Sequence, residues 1–173
     1  MQHLGRNRIR SKKVERCKVR RKGRNFKVLK KSHIKLALKI AKESANKNEI
    51  PVGCVIFDKK GKVISSASNS SIEKNDPTAH AEILAIRKAC KNLNLNKLNE
   101  LSIFVTLEPC KMCEYAIYEA GIKKIFFGAY SENSSLTHKK INYQLENNGY
   151  QFYGGIEEKE CSKLLTNFFK KLR

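Results

Sequence analysis

The sequence is short of acid, of histidine and of long apolar runs. No stretch approaches the ~18 apolar residues that a membrane-spanning helix needs. The basic start is followed by no apolar core segment, so no secretory signal is expected. Six cysteines in 173 residues fall short of the density of a small secreted disulfide scaffold. A reducing, cytoplasmic interior is the expected setting, and cysteines lying close together there point to metal or redox chemistry. No internal repeat is visible.

Acidic residues number 16 against 36 Lys and Arg, for a net charge of +20. The imbalance is concentrated at the start. Residues 1–31 hold 14 Lys/Arg and the single acid Glu15, while residues 32–173 hold 22 and 15. A polyanion is the natural partner, because neutralising phosphates releases condensed counterions. Residues 1–31 lack hydrophobic periodicity and are expected to form a disordered basic arm. The arm's arginine-rich, acid-poor composition is also that of an organelle-import segment, although it is poor in serine and not amphipathic.

Residues 32–173 are 142 in number, enough for one domain with a proper core. Ile34, Ala37, Leu38, Ala41 and Ala45 recur at helical spacing, with Ser32 as the expected cap. Val52–Phe57 and Lys62–Ser68 read as an antiparallel pair around the turn DKKG. A helix follows in AHAEILAIRKACKNL, with Ile83, Ile86 and Ala89/Cys90 on its apolar face. Ser102–Leu107 is a continuous apolar run, as in a buried strand. CKMCEYAIYEAG is a helix that Gly121 ends, and KKIFFGA is a strand. YSENSSLTHKKINYQLENNG reads as loop with short helix, YQFYGGI as a short strand, and EKECSKLLTNFFKKLR as a closing helix. Alternating strands and helices of this kind imply a layered α/β domain.

Two cysteines, Cys110 and Cys113, stand three apart in TLEPCKMCE. Two thiolates do not fill a zinc shell, so other ligands are required. Of the four histidines, only His80, in DPTAHAEI, lies at a strand-to-helix junction. His80, Cys110 and Cys113 therefore each sit at the start of a helix that follows a strand, where the functional edge of an open α/β sheet lies. Three protein ligands leave a fourth position for water, the count of a catalytic rather than a structural zinc site. The helix N-termini also favour thiolate, and Pro109 suits a helix start. Glu82, two residues after His80, points elsewhere than a ligand and can serve as the base beside a metal-activated water. Cys54, Cys90 and Cys161 are expected to be core residues. H-x-E at one helix start with P-C-x-x-C at the next is the signature of zinc deaminases.

On these residues the chain resembles the cytidine deaminase-like zinc deaminases, and most closely the bacterial tRNA-specific adenosine deaminases. The matching stretches are NEIPVGCVIF, DPTAHAEILAIR, VTLEPCKMC, KKIFFGA and LLTNFFKKLR, spread over about residues 33–173. The resemblance implies a three-layer α-β-α fold with a central mixed sheet of about five strands and helices on both faces. It implies one Zn2+ per subunit on His80, Cys110 and Cys113, with Glu82 as proton shuttle. Asn69 matches the asparagine that hydrogen-bonds the target base, and Val52 and Pro109 match residues lining its pocket. The implied activity is hydrolysis of wobble adenosine to inosine in the anticodon stem-loop of a tRNA, by a homodimer.

The chain departs from that family at Glu114 and Tyr115, where small residues are usual, and at Tyr130 and Ser131, which replace an Arg-Asp pair. These positions bear on substrate identity and leave a deaminase of free guanine, cytosine or cytidine as the alternative. A catalytically silent RNA-binding subunit is a third reading, against which the presence of Glu82 speaks.

Overall fold

A computed structural model describes residues 28–131 and 149–172. The elements in chain order are α1 (Lys31–Ala45), β1 (Gly53–Phe57), β2 (Val63–Ser68), α2 (Ala81–Leu93), β3 (Ser102–Leu107), α3 (Lys111–Glu119), β4 (Lys124–Ala129), β5 (Gln151–Tyr153) and α4 (Glu158–Lys171). The five strands form one sheet in the order β2-β1-β3-β4-β5. β1 runs antiparallel to both neighbours, whereas β3, β4 and β5 are parallel. The sheet is therefore mixed, as expected. β2 and β3 run in the same direction with β1 between them.

Alternation along the strands builds a core on each face. Cys54, Ile56, Ile103, Val105 and Ile125 point to the side covered by α2 and α3. Val55, Phe57, Phe104 and Phe126 point to the side covered by α1 and α4. Successive side chains on a strand must face opposite ways, so a strand buried throughout feeds two cores. Each buried phenylalanine contributes roughly 1.5–3 kcal/mol.

Two helix expectations need correction. α1 starts one residue before Ser32, with Lys30 at the cap position. The buried His33 in the first turn supplies what the serine does not, because its Nδ1 accepts the Lys30 N–H at 3.1 Å. The His33 Nε2 donates to the Gly61 carbonyl (2.9 Å), and the ring stacks on Phe57. In α2 the fully buried face is Ala81, Ala85 and Ala89, while Ile83 and Ile86 are only half-buried. Small residues at i, i+4 and i+8 let that helix lie close to the sheet, so the larger isoleucines turn towards its flank.

The same economy of space operates at Gly53. A Cβ there would stand 2.1 Å from the Ala37 carbonyl oxygen, so α1 and β1 meet backbone to backbone. Gly121 follows α3 with φ of +78°, the left-handed turn that stops the helix as expected.

The expected arm over residues 1–31 and the expected loop over 130–149 fall largely outside the described residues. The arm's last residues are described and belong to the folded body. Leu29 is buried in the α1-side core, and Lys31 opens α1. Among the described residues, no helix is long and apolar enough to cross a membrane.

Candidate metal and deaminase site

The antiparallel β1 brings the ends of β2 and β3 to one edge of the sheet. β2 ends at Ser68 opposite Gly53, and β3 runs past Val105 opposite Cys54. Beyond β2, Ser70 N donates to the Ala79 carbonyl (3.1 Å), which ties the loop back beside its start and presents His80. Beyond β3, Glu108 N donates to the Ala129 carbonyl (2.9 Å), which turns the chain into Pro109 and Cys110. His80 caps the start of α2 and Cys110 the start of α3. Both helices thus aim their N-terminal amides at one place, a setting that favours anionic sulfur and carboxylate.

His80 Nδ1 lies 3.7 Å from Cys110 Sγ and 3.4 Å from Cys113 Sγ. All three donor atoms fall within 4.8 Å of one another, the one such group of three among the described residues. A tetrahedral zinc with bonds of about 2.3 Å to sulfur and about 2.0 Å to nitrogen sets its sulfur and nitrogen ligands about 3.5 Å apart. The donor set therefore fits a zinc ion in chemistry and in spacing. Three ligands leave one coordination position for water.

The protein groups alone already polarise the site. The Cys113 thiol donates to Cys110 and His80 adds a second hydrogen bond, which pulls Cys110 down to about 4. Cys113, which holds the shared proton and is largely buried, is correspondingly raised. His80 is raised by its hydrogen bond to Cys110. Glu82 is 4% exposed, and burial lifts it to about 7, with the charge on Cys110 adding to the rise. Its carboxyl also lies against Cys113. A buried carboxyl beside the donor set, with a pKa near neutrality, has the properties of a general base that can also act as an acid.

Val52 and Pro109 are buried at the same edge. Asn69 is also buried there. Its N–H donates to the Val52 carbonyl (3.1 Å). Its side-chain Nδ2 donates to Glu49 Oε2 (2.8 Å), and its Oδ1 accepts from Ser71 Oγ (3.4 Å). An amide has two donors and two lone pairs, so one of each is left over among the described residues.

Sequence reasoning missed Glu49. This carboxylate is 1% exposed and receives Asn69 Nδ2 together with the Ile72 and Glu73 N–H groups, all at 2.8 Å. An isolated acid between a helix and a strand carries no periodic signal, and its partners lie twenty and more residues on. Thr106 was also missed; its Oγ1 accepts the Gly53 N–H at 3.0 Å and joins β1 to β3 beside the site.

The four residues that depart from the resemblance are placed differently from one another. Glu114 is buried, whereas the adjacent Tyr115 is 54% exposed. Tyr130 meets Phe127 edge to face, and Ser131 N donates to Glu108 Oε2 (2.9 Å). Cys54 and Cys161 are buried core residues and Cys90 is half-buried, as expected.

A family model for the cytidine and deoxycytidylate deaminase zinc-binding region matches residues 28–129. A tRNA-specific adenosine deaminase of Aquifex aeolicus is 41% identical over 148 residues, covering 81% of this chain and 93% of that protein. A solved structure from a study of A-to-I editing by tRNA:A34 deaminases at the wobble position is 33% identical with a TM-score of 0.73. It covers 79% of this chain and 100% of its own. A guanine deaminase from Bacillus subtilis is 35% identical with a TM-score of 0.56, over 66% of this chain and 73% of its own.

Proposed function

The chain belongs to the cytidine and deoxycytidylate deaminase zinc-binding family, and from that premise we propose that it converts adenosine to inosine in tRNA by zinc-dependent hydrolysis. The position edited is the wobble adenosine of the anticodon stem-loop. The enzyme works as a homodimer in the cytoplasm. The observation that carries the reading is the buried Glu82 carboxyl beside the His80–Cys110–Cys113 donor set.

In this reading His80, Cys110 and Cys113 hold the zinc. A zinc ion so bound brings the pKa of its water towards neutrality. Glu82 takes a proton from the attacking water, delivers it to the adenine ring nitrogen, and delivers the next to the departing amine. The C6–N bond breaks, a C6–O bond forms, and ammonia leaves, so adenosine and water balance against inosine and ammonia. Asn69 holds the base through its spare donor and acceptor, and Glu49 fixes the amide. Val52 and Pro109 give the base apolar walls that exclude water. Anticodon-loop bases are partly unstacked, so swinging one out costs less than from a duplex.

Incubation of zinc-loaded protein with tRNA-Arg(ACG), followed by sequencing for inosine, tests the assignment. Absence of inosine from folded, zinc-loaded protein would sink it. The resemblance also carries the homodimer, and sedimentation of the purified protein tests that.

Free guanine or cytosine is the second reading, favoured by Tyr130 and Ser131 and by the 35% identity to a guanine deaminase. The two separate by salt. Capture of a polyanion weakens steeply with ionic strength, whereas turnover of a neutral base does not.

A further inference from the structure

β3 runs to the catalytic edge between two neighbours, and at its exit a side chain bonds to each of them. Towards β1, Thr106 Oγ1 accepts the Gly53 N–H (3.0 Å). Towards β4 the ladder is parallel, and Leu107 pairs with Ala129. The Glu108 N–H continues that ladder by donating to the Ala129 carbonyl (2.9 Å). Bonds in a parallel ladder are evenly spaced along both strands, so the next one would send the Ser131 N–H to the Glu108 main-chain carbonyl. It goes instead to the Glu108 side chain, 2.9 Å from Oε2.

The exchange of a carbonyl for a carboxylate has a geometric reason. Straight after Glu108 the chain leaves the sheet, through Pro109, so that Cys110 can cap α3. The Glu108 carbonyl lies in the plane of the peptide bond to Pro109 and turns with it. A carboxylate at the end of a flexible stem does not, so it stays in line with β4 while the backbone departs. Glu108 is 2% exposed, which shields its bond to Ser131 from competition by water. The residues kept in line are Tyr130 and Ser131, which follow β4 at the edge where β3 also ends. The Tyr130 ring packs edge to face on Phe127 and lies beside Gly155. Ring packing thus holds one of these two residues and the carboxylate the other.

We propose that Glu108 is a positioning residue of the deaminase site, whose carboxylate fixes the Tyr130–Ser131 rim against the Pro109–Cys110 turn. It acts through the Ser131 amide, and one side chain sets the spacing between the Pro109 wall and the rim. The proposal rests on the deaminase reading of this edge, and it holds for a tRNA adenosine or a free base alike. It gives Glu108 a bearing on substrate binding, whereas the proton transfers remain with Glu82.

The test uses the whole zinc-loaded chain and three changes. Glu108→Ala removes the acceptor, Glu108→Gln keeps an oxygen in its place, and Ser131→Pro removes the donor. Hydrogen exchange at the Ser131 amide, followed by NMR, reads the bond itself. KM and kcat are read on an anticodon stem-loop and on free guanine and cytosine, with Kd from fluorescence anisotropy in place of KM where nothing is turned over. Glu108→Ala should speed exchange at Ser131 by about tenfold or more. It should raise KM about tenfold, with kcat within about twofold and zinc still stoichiometric, the pattern of a lost binding interaction. Ser131→Pro should raise KM by the same factor, and the two changes combined should add nothing further. Glu108→Gln should stay within about threefold of the parent. An unchanged KM in Glu108→Ala overturns the proposal. So does a loss of zinc or of kcat in place of the rise in KM, which would mark a residue that only supports the fold. So do additive effects of Glu108→Ala and Ser131→Pro. Should Glu108→Ala not fold, Ser131→Pro decides, and an unchanged KM there overturns the proposal equally. A KM effect on guanine or cytosine, with the stem-loop unedited, keeps the role of Glu108 and sinks the tRNA reading.

Discussion

The two ends of the sheet are built from different materials. At the catalytic edge, titratable groups are buried or half-buried and each is engaged. Glu49 takes three N–H donors, and Glu82 lies against Cys113. At the opposite pole, where Phe57 pairs with Ser102 and Ser102 with Lys124, Lys30, Lys59, Lys60, Lys62 and Lys123 carry their charges on long exposed stems. Chemistry on one bond needs atoms fixed to fractions of an ångström. A hydrated ammonium on a flexible stem needs no such placement. The contrast predicts that substitutions at the edge act on rate, whereas single substitutions at the pole leave it unchanged.

The largest expected effect comes from the donor set. Cys113→Ala should lower both bound zinc and inosine formation to background, with metal analysis and the editing assay as readouts. Persistence of stoichiometric zinc would break the assignment of that edge.

Glu82→Gln should come next. Zinc should be retained while kcat falls by about 10²–10⁴, the usual worth of a positioned acid–base. The pH profile sharpens this further. Burial lifts Glu82 to about 7, and the ionised form is the one that accepts a proton. A dication bound beside the carboxyl pulls that value down, so in the zinc-loaded enzyme kcat/KM should be level above neutrality and fall about tenfold per unit below a midpoint lying under pH 7. Glu82→Gln should flatten that acid limb in the residual activity.

Glu49→Gln should have a smaller effect, because it perturbs Asn69 rather than the reacting atoms. Removing charge from an acceptor of three hydrogen bonds costs roughly 1.5–3 kcal/mol. A loss of about tenfold or more in kcat/KM should result, with zinc content unchanged. An unaltered kcat/KM would show that Asn69 does not need this support.

Gly53→Ala should affect the scaffold alone. Its Cβ would collide with the Ala37 carbonyl, and overpacking of this kind costs roughly 1–3 kcal/mol. A thermal melt should register the loss, with zinc affinity and the salt slope of tRNA binding unchanged once the protein is folded. Smallest of all, Lys62→Gln should leave the melting temperature and the stem-loop rate within error.

The catalytic edge was legible in the sequence because its residues carry local signatures. H-x-E and P-C-x-x-C each mark the start of a helix, α2 after the polar loop that follows β2 and α3 shortly after the apolar β3. The strands were legible too, since VGCVIF and SIFVTL have no helical spacing. What escaped depended on contacts distant in sequence. The cap of α1 rests on a histidine that also reaches Gly61. The inner face of α2 is a row of alanines, which sequence hydrophobicity ranks below its isoleucines. Glu49 acquires its role only when residues 69, 72 and 73 fold over it. The basic pole was invisible for a related reason. Its lysines come from three separate segments, and only the antiparallel placement of β1 between β2 and β3 brings them to one end.

That placement has a mechanical consequence. His80 and Cys110 are thirty residues apart, and the span between them contains α2 and β3. A zinc ion holding both would be a crosslink across two strands that are not neighbours. By the chain-entropy argument used for disulfides, closing a loop of that length is worth about 3.5 kcal/mol. Unlike a disulfide, a metal–thiolate tie survives in a reducing compartment. The ion that activates water would thus also rivet together the layer of helices that presents it, and chelation should loosen that layer as well as stop the reaction.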